Sequence, residues 1–263
     1  NNLALAYQDA GRLEQAINLF KQNLADSERI LGPNHPNTLA FLDGLASAYL
    51  SAGRLEQAIN LFKQNLADSE RILGPDHPHT LASRNNLALA YQDAGRLEQA
   101  INLHERNLTE RERILDPDHP DTLTSRGNLA SAYQDAGNLK KAIDIFEQAL
   151  TDSERILGPD HPYTLAFLDG LASAYQDAGN LKKAIDILEQ TLTDSERILG
   201  LNHPHTLTLR NNLASAYQDA GKLEQAINLF EQTLADRERI LGPDHPDTLT
   251  SRDNLARARE ARN

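Results

Sequence analysis

Leu87-Ala88-Leu89-Ala90-Tyr91-Gln92-Asp93-Ala94-Gly95 is the stretch on which the fold turns. Leu87, Ala88, Tyr91 and Ala94 recur at spacings of three and four, which is one face of an α-helix, and Gly95 ends that helix as a C-terminal cap does. The segment Ala90 to Gly95, or a close variant, also begins at Ala6, Ala48, Ala132, Ala174 and Ala216, every step being 42 residues without insertion. The chain therefore reads as six units, 1–42, 43–84, 85–126, 127–168, 169–210 and 211–252, followed by a partial capping helix, 253–263.

Each unit holds a second apolar stripe, in the third unit Leu97, Ala100, Ile101, Leu108 and Ile114-Leu115, which predicts a helix B of about 19 residues, or ~28 Å at 1.5 Å per residue. Helix A runs from about Thr80. Between helix B and the next helix A stands Leu-Gly-Pro-Asp-His-Pro, as at Leu73 to Pro78, where the glycine permits a left-handed cap and the prolines stop the helix. Pro78 suits the first position of helix A, with His77 or Asp76 as its cap. A hairpin with one apolar stripe on each member cannot bury both alone, so identical hairpins must stack around a shared core. The fold class is all-α, a solenoid of stacked antiparallel helix hairpins.

Leu87-Ala88-x-x-Tyr91, Gly95, and an alanine followed four residues later by phenylalanine (Ala58 and Phe62, Ala142 and Phe146) resemble the tetratricopeptide pattern over essentially the whole chain. The extra eight residues beyond the usual ~34 fall in helix B and its exit loop. This longer form is similar to the repeats of kinesin light chains and of bacterial multi-repeat proteins carrying NNLA-x-x-Y and LGPDHP. The resemblance implies a right-handed superhelical α-solenoid whose A helices line a concave groove. It implies that the groove binds a protein or peptide segment, and that the positions flanking the buried leucine and tyrosine carry the contacts. Here those are Asn85, Asn86, Leu89, Gln92 and Asp93 in unit three, with Asn128, Asn211, Asn212, Gln134 and Gln218 at matching positions elsewhere.

The second asparagine recurs as Asn2, Asn86, Asn128, Asn212 and Asn254. A row of carboxamides, each with two donors and an acceptor, suits the backbone of an extended peptide; it equally suits hydrogen bonds between neighbouring A helices. Departures between near-identical units are the better guide to a partner. Arg84, Arg126, Arg210 and Arg252 precede the asparagine pair, whereas Leu42 and Leu168 replace arginine where Gly44 and Gly170 replace asparagine and Phe41 and Phe167 replace Ser83. Phe41 and Gly44 share a helical face, so the ring is expected over the space beside the glycine. One reading gives a groove that pairs acidic partner residues with Arg84 and Arg126 and anchors an apolar residue at Phe41 or Phe167. The other is compensating core repacking inherited through duplication of a three-unit block. His104 and Leu188 stand where Phe20, Phe62, Phe146 and Phe230 stand elsewhere, and His104 is expected to be a partly exposed packing residue.

Chemistry-bearing constellations point nowhere. The His-Pro pairs at His35, His77, His119, His161, His203 and His245 lie one per repeat, on the order of 10 Å apart, too far to share a zinc ion that needs nitrogens within ~2.1 Å. They read as loop and capping residues. Asp26 and Glu28 recur in every unit as a surface acid pair with Arg29 in reach. No glycine-rich phosphate loop or nucleophile elbow occurs, so no catalytic residue, metal or cofactor is expected. A net charge of −12 argues against nucleic acid or an anionic membrane as partner. The absence of cysteine makes a cytoplasmic chain the simplest reading. With no methionine, and with Asn1-Asn2-Leu3 at its start, the sequence reads as a fragment or processed piece.

Three functions follow as expectations: a peptide-binding scaffold; a module that self-associates end to end through its truncated first unit; or the sensor arm of a larger signalling NTPase. The far end looks capped, since Arg257 replaces the serine or leucine of other units and Arg259 the core tyrosine.

Overall fold

The computed structural model describes residues 2–262, apart from the side chain of Asp9; Asn1 and Asn263, the outer bounds of the first and last segments, lie outside the described residues. Among the described residues there are thirteen α-helices and no strand. In chain order they are α1 (Asn2–Asp9), α2 (Leu13–Leu31), α3 (Pro36–Ser51), α4 (Leu55–Leu73), α5 (Pro78–Asp93), α6 (Leu97–Leu115) and α7 (Pro120–Asp135), then α8 (Leu139–Leu157), α9 (Pro162–Asp177), α10 (Leu181–Ile198), α11 (Pro204–Asp219), α12 (Leu223–Leu241) and α13 (Pro246–Arg262). The odd-numbered helices are the A members, the even-numbered the B members. The first seven form one compact block and the last six another.

Local chemistry sets the boundaries of the A helices. Each complete A helix begins with proline at its first position, and the preceding histidine caps it. The Nδ1 atoms of His35, His77, His119, His161, His203 and His245 accept the backbone N–H two residues on, at 3.1–3.2 Å. Helix α5 ends where Gly95 takes φ +69° and Arg96 N–H reaches back to Tyr91 C=O at 2.8 Å, a Schellman closure. A buried threonine locks the loop before α3, α5, α7 and α9: Thr38, Thr80, Thr122 and Thr164 donate to the carbonyl of residue 32, 74, 116 or 158 at 2.8 Å.

Within the first block α3 packs against α2 and α4, α5 against α4 and α6, and α7 against α6; the second block repeats the scheme from α9 to α13. Alanines 46, 48, 58, 88 and 90 have no exposed surface, which lets the helices approach closely around Leu45, Tyr49, Ile59, Phe62, Leu87 and Tyr91. Leu209, Leu213, Tyr217, Ile227 and Phe230 build the corresponding core of the second block. Burying each such large side chain stabilises by roughly 1.5–3 kcal/mol. A helices also touch the next A helix directly, α3 with α5, α5 with α7, α9 with α11, and α11 with α13, whereas no two B helices of a block come that close among the described residues. In each block the A helices thus lie on the tighter, inner side and form one continuous face.

Candidate functional site

The inner face is held together by a ladder of side-chain hydrogen bonds between A helices. Asn86 Nδ2 donates to both oxygens of Asp43, at 3.1 and 3.0 Å. Asn128 donates to Asn85 Oδ1 at 2.8 Å, Asn212 to Asp169 Oδ1 at 2.9 Å, and Asn254 to Asn211 Oδ1 at 3.3 Å. The first residue of each pair accepts and the second, one helix further on, donates. Asn85, Asn86, Asn128 and Asn212 are half-buried and Asn211 is buried, so Asn86, Asn128 and Asn212 spend a donor inside the protein. A second ladder runs about two turns along: Gln92 donates to Asp135, and Gln176 to Asp219 at 2.6 Å. Gln134 and Gln218 are half-buried at the same level, and Asp93 and Asp135 are exposed.

The arginines do not reach this face. Arg84 is 0% exposed, and Arg126 and Arg210 are buried. Each turns onto the preceding B helix, Arg84 onto Glu70 at 3.0 Å, Arg126 onto Glu112 at 3.1 Å, and Arg210 onto Glu196 at 3.1 Å, and Arg210 also meets Asp236 of the following B helix, α12, at 2.9 Å. The expected pairing of Arg84 and Arg126 with acidic partner residues therefore has no free guanidinium to rest on. Where Leu42 and Leu168 replace arginine, the matching Glu28 and Glu154 are exposed instead. The aromatic anchors fail for a related reason. Phe167 is buried, and half-buried Phe41 packs against the core. The space beside Gly44 belongs to Phe20, whose Cε1 would lie 2.4 Å from an added Cβ, and Phe146 fills the space beside Gly170 in the same way. The glycines admit a ring from the preceding B helix, not from their own.

The acids that accept the ladder were not among the sequence candidates. Asp43 and Asp169 stand where Asn85, Gly127 and Asn211 stand in other repeats, and both precede a glycine, Gly44 or Gly170; Asp253, at the same position of the last helix, precedes Asn254. Burial pushes both carboxyls above the usual carboxylate range; hydrogen bonds from Asn86 and Asn212 and the nearby His79 and His205 oppose it. Their co-occurrence with the glycines was the available signal. His104 differs from expectation too: it is 1% exposed, neither ring nitrogen has a partner, and burial lowers its pKa to about 4. Among the described residues no three His, Asp or Glu side chains come together as a metal site. No described helix is long and apolar enough to cross a membrane.

Stacked hairpins of a shorter and a longer helix, joined by a tyrosine-glycine turn and a proline-capped return, define a helical-repeat protein. The tetratricopeptide-repeat pattern matches residues 1–67, 43–108, 85–154, 126–197, 166–238 and 205–263, and the chain belongs to the tetratricopeptide-repeat family. Such repeats generally mediate protein–protein interaction on a fold that is generally non-catalytic. No curated protein matches the chain in sequence. Among solved structures it is similar to nearly identical TPR-like repeats from Podosopora anserina, described as those of a kinesin light chain, at 34% identity over 78% of this chain and 97% of that one, with a TM-score of 0.63. A Signal Transduction ATPase with Numerous Domains protein with a tetratricopeptide repeat sensor, from Pyrococcus horikoshii, shares the fold at 18% identity, 99% and 38% coverage and a TM-score of 0.67. So does a Rap protein complexed with competence and sporulation factor, at 13% identity, 98% and 72% coverage and a TM-score of 0.64.

Proposed function

We propose that the chain is a protein-interaction module that holds an extended segment of a partner protein along the face built by its A helices. The observation that carries this reading is the construction of that face. The carboxamide and carboxylate ladders tie α3 to α5 and α5 to α7, so half-exposed Leu89, Gln92 and Ser131 and exposed Asp93 and Asp135 stand on a pre-ordered surface in the first block. A surface ordered before binding loses less conformational freedom when a segment docks. Variation among the repeats also gathers here. The position of Leu89 carries leucine, serine or arginine across the units, while the leucine two residues before it never changes. The Rap protein, whose structure holds competence and sporulation factor, is a case of the same fold engaging a ligand. A sensor arm acting on an enzyme elsewhere in a longer chain is the second reading. It has the fold likeness to the STAND protein behind it and uses the same face.

The test is selection of phage-displayed random 12-residue peptides on the intact chain, followed by mapping of a selected peptide through backbone amide perturbations. Perturbations clustered on A helices support the reading. A footprint confined to the outer surfaces of B helices overturns it.

A further inference from the structure

The fifth repeat differs from the second at one point of the A face, and the difference makes a socket. The two repeats stand 126 residues apart and share the Asp-Gly-Leu-Ala core of helix A, at Asp43 to Ala46 and Asp169 to Ala172. In the second repeat Asp43 is saturated, with Asn86 donating to both oxygens and Asn65 adding a bond to Oδ1 at 3.2 Å. In the fifth, Asn212 donates to Oδ1 of Asp169 alone. The counterpart of Asn65 is Thr191, which turns back to its own helix at Ile187 C=O, 2.8 Å. Oδ2 of Asp169 accepts no hydrogen bond among the described residues.

The space above that oxygen is open for an equally specific reason. Phe62 of the second repeat becomes Leu188, which shortens the floor, while Leu50 and Leu89 become Gln176 and Ser215 and make the walls polar. The result is a recess of about 180 Å³ between α9 and α11, with Asp169 and Leu188 at its base and Asp177 at its rim. Burial raises the Asp169 carboxyl above its usual range, so no positive charge in the protein compensates it fully. An apolar floor for a methylene chain, under a carboxylate with one unused oxygen, matches the two halves of a lysine or arginine side chain.

We propose that this recess is the socket for a basic side chain of the partner segment, with the cationic head on Asp169 Oδ2 and the aliphatic stem along Leu188. The proposal rests on the reading of the A-helix face as the binding surface, and it replaces the acidic partner suggested by the arginines with a basic one.

Two probes separate the socket from the groove. Random 12-residue peptides are selected on the intact chain and re-measured on Asp169→Asn, which keeps an acceptor for Asn212, and on Leu188→Phe, which restores the floor of the second repeat. In parallel, Nα-acetyl-lysine N-methylamide is titrated while the backbone amides of Asn212 and Ser215 are followed, with Asn86 as the internal control. Expected are peptides enriched in lysine or arginine at one position, whose affinity falls about tenfold or more in either variant while circular dichroism stays unchanged. The small amine should shift Asn212 and Ser215 saturably in the millimolar range, and not in Asp169→Asn. Selected peptides without a basic preference, or with one untouched by Asp169→Asn, overturn the socket and leave the groove reading standing. Saturable binding of the amine with no selected peptide overturns a protein segment as occupant, and the groove reading with it. Absence of both signals overturns both.

Discussion

Asn86 spans from one A helix to the next and places its Nδ2 on both carboxylate oxygens of Asp43, at 3.1 and 3.0 Å. The bond ties a half-buried donor to a desolvated acid, so it belongs to the stack whatever else the face binds. Asn86→Ala leaves Asp43 with Asn65 as its remaining hydrogen-bond donor, and the loss should be about 1–3 kcal/mol. Urea unfolding followed by circular dichroism measures it. Asn128→Ala should cost less, because its partner Asn85 is neutral and half-buried. Unchanged unfolding in both variants would show the ladder to be incidental to the stack.

Arg84 and Glu70 give an asymmetric pair of outcomes. Arg84 is 0% exposed, and its Nε and Nη1 have no partner, whereas Glu70 keeps 33% of its side-chain surface in solvent and also meets Arg106 at 3.3 Å. Replacing a buried ion by a packed apolar residue is commonly neutral or stabilising, and this chain does so at Leu42 and Leu168. Arg84→Leu should therefore leave the unfolding midpoint unchanged or higher. Glu70→Ala strands the buried guanidinium and should lower stability by about 1–3 kcal/mol, the solvent around Glu70 moderating the loss.

His104 makes stability fall with acid. The unfolded imidazole takes a proton near pH 6.5 and the buried one only near about 4, so the unfolded state binds more protons between those values. Stability is full above pH 6.5, declines as the pH falls toward about 4, and then levels off, with a total loss of roughly 3 kcal/mol at about 1.4 kcal/mol per tenfold change in proton affinity. His104→Phe, which restores the residue at positions 20, 62, 146 and 230, should raise the melting temperature and flatten the profile through this window. A profile identical in the variant would remove His104 from the account.

What the sequence could and could not show follows from where the information lies. Repetition of Leu87, Ala88, Tyr91 and Gly95 exposed the hairpin, its stacking and its family, because helix period and capping are local. His77 as a cap was legible for the same reason. The direction of Arg84 was not read, although it precedes Leu87 and Ala88 by three and four residues and so shares their buried face. Its exchange for Leu42 and Leu168 pointed the same way. The filling of Gly44 by Phe20 was beyond the sequence, since it depends on two helices meeting across a loop. The recess at Asp169 is a difference between repeats rather than a motif, and it becomes visible only when Leu188, Gln176 and Ser215 are seen around one space.

Asp116 sits at φ +85°, where the matching positions 32, 74, 158, 200 and 242 are glycine at φ +90° to +92°. The left-handed backbone strains a residue with a Cβ by about 1–2 kcal/mol, while glycine loosens the unfolded chain by up to about 1 kcal/mol. Asp116→Gly should stabilise by about 0.5–1 kcal/mol, with the loop bond from Thr122 to the residue 116 carbonyl retained. Denaturant midpoints of the two proteins check it, and a lower midpoint in the variant would place the strain elsewhere.

Phe20 and Gly44 provide a test of whether the departures between repeats are matched pairs. An added Cβ at Gly44 would meet Phe20 Cε1 at 2.4 Å, Cδ1 at 2.9 Å and Cζ at 3.0 Å, and Phe20 is 0% exposed. The ring cannot leave without opening the core beneath it, so Gly44→Ala should cost about 1–3 kcal/mol through overpacking, more than the gain in helix propensity returns. Phe20→Leu alone should also destabilise, by about 1–1.5 kcal/mol, through lost burial. The double variant recreates the smaller residue that Leu188 supplies in the fifth repeat, opposite a position that carries a side chain, Asn212. Its cost should fall short of the two single costs added together by 0.5 kcal/mol or more, the signature of residues that share one space. Strict additivity in that cycle would mean that Gly44 is needed for its own backbone and not for the ring of Phe20.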